Sequence, residues 1–120
     1  MRLNRIHLTV ANVAQSRVFF ETYFRLRCTL SRGNDEYVVL TDEAAFELAL
    51  SISDTVMLRD YPVDFHLGFM QDSRERVSEI YEQLKSDGFE VEPPREFHGA
   101  WTFFFRAPGG FFVEVLHLQK

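Results

Sequence analysis

His7, Glu47, His66 and Glu114 each fall in a strand-like segment of alternating apolar and polar residues, and each occupies the polar phase. Imidazole and carboxylate are the groups that bind Zn²⁺, Ni²⁺ or Fe²⁺ and that move protons near neutral pH. A single strand His or Glu is usually solvated or paired. Four strands that aim such groups at one surface describe a site. Arg5 shares that surface, two residues before His7, and its guanidinium is permanently protonated with no lone pair to offer a metal.

The phase assignment follows from the two-residue period of a strand. Ile6, Leu8 and Val10 oppose Arg5, His7 and Thr9; Phe46, Leu48 and Leu50 oppose Ala45, Glu47 and Ala49. Further along, Phe65, Leu67 and Phe69 oppose His66, Gly68 and Met70, and Phe111, Val113 and Val115 oppose Phe112, Glu114 and Leu116. Between residues 100 and 106, Trp101, Phe103 and Phe105 form an apolar phase expected to meet a helix. Thr102, Phe104 and Arg106 form a mixed phase expected to line a cavity. His117 falls on a helix-facing phase and His98 in a loop, so neither is expected to be a ligand. The sequence contains no GxSxG, Walker, GxGxxG or CxxC motif, which leaves serine hydrolase and nucleotide-binding readings without support.

Two helices must hold these strands. Between Ser73 and Asp87, Val77, Ile80, Tyr81 and Leu84 recur at helical spacing with charged residues on the other face. Asp72 with Glu75 predicts a capping-box start and Gly88 a left-handed stop. A second helix is predicted from Val13 to Phe24, with Asn12 and Gln15 as its start signal and Phe19, Phe20, Tyr23 and Phe24 as its buried stripe. Arg25 stands where a stop glycine would be expected. One strand precedes each helix (Leu3 to Val10; Asp64 to Met70) and three follow. The first set is Leu26 to Leu30, Glu36 to Leu40 and Ala45 to Ser51; the second is Phe89 to Glu92, Ala100 to Arg106 and Phe111 to Leu118.

The pattern is therefore an α+β fold of two tandem βαβββ modules, at residues 1–51 and 64–118, joined by a connector at 52–63 whose polar stretch runs from Asp54 to Pro62. An ungapped offset of 61 residues lays Arg5 on His66, Phe19 on Ile80 and Phe20 on Tyr81. A ferredoxin-like βαββαβ fold would place only two strands between the helices, where this sequence places four.

The 120 residues suit one domain spanning 1–120, and Phe supplies 13 of the aromatic residues against four Tyr and one Trp, which requires a bulky apolar interior. A net charge of −5 disfavours nucleic acid and anionic membrane partners, and no segment has the apolar length of a membrane span or signal core. A cytoplasmic protein is expected. Cys28, the single cysteine, is expected to be an apolar filler.

Val10, Asn12-Val13, Ser16 and Phe19-Phe20 resemble the V-x-D-L-x-x-S-x-x-F-Y pattern that opens vicinal oxygen chelate proteins, the superfamily of glyoxalase I, bleomycin resistance proteins and extradiol dioxygenases. Phe105-Arg106-Ala107-Pro108-Gly109-Gly110 with Glu114 resembles its F-R-D-P-D-G-x-x-x-E ending, with Ala107 and Gly109 in place of two aspartates. The resemblance implies a cupped, incomplete eight-stranded barrel, a homodimer and a small-molecule pocket lined by Arg5, His7, Glu47, His66, Thr102, Phe104 and Glu114. In the glyoxalase I branch a metal is held by His, Glu, His and Glu; by position the last three are Glu47, His66 and Glu114. Arg5 stands at the first, and His7 reaches it only if its strand slips by two residues, about 6 to 7 Å. Ser51 stands where that branch carries a glutathione-contacting Asn.

Two functions follow. A divalent metal (Ni²⁺, Zn²⁺ or Fe²⁺) on Glu47, His66, Glu114 and His7 would support lactoylglutathione-lyase-like lyase or isomerase chemistry, with Glu114 or Glu47 as proton shuttle. Alternatively no metal is bound: Arg5 replaces it by pairing with Glu47 or Glu114, and the cup sequesters a small molecule, as the bleomycin-resistance branch does.

Overall fold

The structure is a computed structural model that describes residues 1–52, 61–62 and 64–119. These form, in order, β1(Arg5–Val10), α1(Val13–Phe24), β2(Arg27–Arg32), β3(Tyr37–Thr41), β4(Glu47–Ile52), β5(His66–Met70), α2(Arg74–Ser86), β6(Arg95–Phe97), β7(Ala100–Arg106) and β8(Phe112–Leu118). The chain divides into two compact units, Met1–Asp60 and Tyr61–Lys120. Each unit contains one βαβββ module, the tandem architecture expected from the sequence. Most of the connector, including residues 53–60, lies outside the described residues.

In the first unit the strand order is β1-β4-β3-β2, with β1 parallel to β4 and the remaining pairs antiparallel. Alternation sends Leu8, Val10, Val38, Leu40, Leu48 and Leu50 to the α1 side, where all are buried. Helix α1 meets them with Val13, Phe19, Phe20 and Tyr23, and Ser16 is buried beside them. Phe20 is fully buried and stands edge-on to Phe19 at 5.1 Å; burial of such a ring contributes about 1.5–3 kcal/mol. At the helix start Asn12 accepts a hydrogen bond from the Gln15 amide at 2.9 Å.

The second unit repeats the plan as β5-β8-β7-β6, with β5 parallel to β8. Val77, Ile80, Tyr81 and Leu84 of α2 are buried, as are Phe103, Phe105, Val113 and Val115 of the sheet. Tyr81 stands edge-on to Phe103 at 5.9 Å, and the Trp101 indole lies on the same side, donating to Ser78 Oγ at 3.4 Å. The repeat is in phase at its start: β1 and β5 begin at Arg5 and His66, α1 and α2 at Val13 and Arg74.

Three sequence expectations are corrected. Ser73, not Asp72, caps α2, accepting from the Arg76 amide at 3.1 Å; both residue types cap well, and the helix enters one residue later. Phe89 to Glu92 is not a strand. The Phe89 amide instead donates to the Leu84 carbonyl at 3.0 Å, closing the helix exit, while its ring packs on Phe105 at 6.1 Å. Pro93 and Pro94 cannot donate to a ladder, so β6 begins beyond them, where Arg95 pairs with Thr102. Strand β2 runs to Arg32 rather than Leu30, with a bulge between Cys28 and Leu30, because the reversal is made by Gly33, Asn34 and Asp35, all at positive φ.

Helix α1 ends at Arg25 in the left-handed region, φ 58°. A side chain there is strained, and glycine relieves the strain at the end of a helix. Arg25→Gly is expected to stabilise the protein by about 0.5–1 kcal/mol, read as a higher urea midpoint with an unchanged m-value.

Candidate ligand-binding site

The sheet faces turned away from the helices carry the candidate residues. In the first unit the parallel register sets Arg5 opposite Glu47 and His7 opposite Ala49. The Arg5 guanidinium closes on Glu47: Nε donates to Oε1 at 2.8 Å and Nη2 to the same oxygen at 2.5 Å. This hydrogen bonding, together with the carboxylate charge, holds the Arg5 pKa above its already high ordinary value. His7 lies one pleat further along, opposite Ala49. Its Nε2 is 2.7 Å from Ser51 Oγ, and its ring stands edge-on to Tyr37 at 5.9 Å. Tyr37 and Ser51 are directly paired across β3 and β4, so two strands hold the imidazole in place.

In the second unit the register sets His66 opposite Phe112 and Gly68 opposite Glu114. Glu114 is the more buried partner, its side chain 15% exposed against 39% for His66, and its Oε1 lies 3.3 Å from His66 Nε2. Its other oxygen, Oε2, accepts a hydrogen bond from Thr102 Oγ1 at 2.8 Å; that hydroxyl is almost fully buried and also lies 3.1 Å from the Val115 carbonyl. On the far side of the imidazole, His66 Nδ1 is 3.2 Å from the Asp64 carbonyl. A carbonyl only accepts, so Nδ1 is the donor in that contact and Nε2 is the nitrogen that faces the Glu114 carboxylate. The Phe104 ring stands edge-on to His66 at 5.4 Å.

The first-donor position holds Arg5, already committed to Glu47, and His7 is committed to Ser51. Among the described residues no group of three or more His, Cys, Asp or Glu side chains is arranged to hold a metal ion. Among the described residues His66 Nε2 and Glu114 Oε1 adjoin, 3.3 Å apart. The residues that sequence reasoning passed over are the partners: Tyr37, Ser51 as a brace for His7, and the Asp64 carbonyl. Alternation places Tyr37 on the same face as Thr41, but only the cross-strand register reveals whom it meets. His117 Nδ1 lies 2.9 Å from the Gln71 carbonyl. A shallow crevice of about 730 Å³, lined by Arg74, Ser78, Glu82 and Trp101, opens on the helix-packed side of the second sheet, away from His66 and Glu114.

The glyoxalase/bleomycin resistance protein/dioxygenase superfamily model matches residues 2–115. A structure described as a "possible glyoxalase" from Bacillus cereus is 45% identical, covers 97% of this chain and 98% of its own, and superposes with a TM-score of 0.87. The chain therefore belongs to the glyoxalase/bleomycin resistance protein/dioxygenase superfamily. More distant likenesses show the same fold. They include a lactoylglutathione lyase from Agrobacterium tumefaciens (18% identity, 97% and 92% coverage, TM-score 0.75) and the fosfomycin resistance protein FosX from Listeria monocytogenes (22%, 98% and 93%, 0.76). No curated protein matches the chain. No helix among the described residues is long and apolar enough to cross a membrane.

Thr102 is the one buried donor to Glu114 among the described residues. Thr102→Val keeps the shape and removes the hydroxyl, leaving a mostly buried carboxylate oxygen unsatisfied, at a cost of about 1–3 kcal/mol. Urea denaturation at pH 7 should show that loss, and Thr102→Ser should recover most of it.

Proposed function

We propose that this family member is a metal-free small-molecule-binding protein of the bleomycin-resistance kind. Its ligand-facing residues are Arg5, His7 and Glu47 on the first module's open sheet face, and His66, Thr102, Phe104 and Glu114 on the second's. The observation that carries this reading is the Arg5–Glu47 pair. A fixed positive charge stands at the first-donor position of the glyoxalase I pattern and satisfies the carboxylate that a dication would need. Repulsion between a guanidinium and a divalent metal a few ångströms away is unfavourable even with partial solvent screening. Tyr37 and Ser51 hold His7 away from Glu47, which argues against a slipped strand supplying the missing imidazole.

One observation favours the metal-dependent lyase or isomerase reading: His66 is oriented through Nδ1 by a carbonyl, as metal-bound imidazoles commonly are, with Glu114 beside its Nε2. That is two donors of the four. When bound, a divalent metal would polarise adjacent substrate oxygens; the residues here leave it half a shell. The likenesses to a lactoylglutathione lyase and to FosX extend to the fold and do not decide between the readings.

The deciding experiment is metal analysis of protein purified without a histidine tag, combined with thermal melts in Ni²⁺. The native chain is expected to contain no stoichiometric metal and to melt at the same temperature with or without Ni²⁺. Arg5→His removes the opposing charge and adds the absent imidazole, so its Tm should rise by roughly 10 °C or more with free Ni²⁺ at about 1,000 times Kd. A native protein that itself shifts strongly would establish the metal-dependent reading instead.

A further inference from the structure

We draw no further inference here: the strongest candidate, the shallow crevice between the flank of α2 and Trp101 of β7, is rimmed by Glu75, Glu79 and Glu82 over an indole face that the Arg74 guanidinium already covers at 4.0 Å, and nothing in the structure shows what else would occupy it.

Discussion

A β-strand has two sides, and a single helix can cover only one of them. Each module of this chain applies that constraint to a four-stranded sheet. Leu8, Val10, Leu48 and Leu50 are turned to α1, and Phe103, Phe105, Val113 and Val115 to α2, where all are buried. Once those residues are committed, their neighbours in sequence have no choice of side. Arg5, His7 and Glu47, and likewise His66, Thr102, Phe104 and Glu114, are presented together because the helices have taken the other face. The chemistry of the open faces is thus fixed by the apolar packing behind them.

The open faces then differ in how charge is balanced. In the first module the balance is internal: Arg5 and Glu47 sit directly opposite in a parallel ladder, and the guanidinium reaches one carboxylate oxygen with two of its nitrogens. The second module has the same strand arrangement but places its glutamate opposite a glycine and one pleat beyond its histidine. That two-residue change in position replaces an arginine–glutamate pair by a carboxylate held by a hydroxyl and faced by an imidazole nitrogen. A duplicated scaffold carries two electrostatic solutions.

Much of this was legible in the sequence, for reasons that can be named. The bounds of α1 and β7 follow from periodicity and flanking turn residues, and the observed elements span the same residues, Val13–Phe24 and Ala100–Arg106. The side on which each candidate residue lies follows from parity alone. Strand β6 was not legible, because the apolar Phe89 that suggested a strand is spent on the helix exit and on Phe105. The choice of Ser73 over Asp72 as a cap turns on one residue of backbone geometry that two competent capping residues leave open. In the candidate site, parity gave the face but not the partners. Tyr37 against His7, Thr102 against Glu114 and Asp64 against His66 depend on register and local chain direction, and no spacing along the chain encodes those.

The parallel pairing of β1 with β4 has a kinetic corollary. Strands β2, β3 and β4 follow one another through short reversals, so their ladders close small loops, whereas the contact between Arg5 and Glu47 spans 42 residues. Loop closure becomes more costly with length, and parallel pairing cannot begin until the intervening helix has brought the first strand back across the sheet. Within each half the meander is the inexpensive nucleus and the leading strand docks late. The leading strands are the ones that carry Arg5 and His66, so the polar face of each module is assembled at the end of folding, and partly folded chains display the glutamates without their basic neighbours.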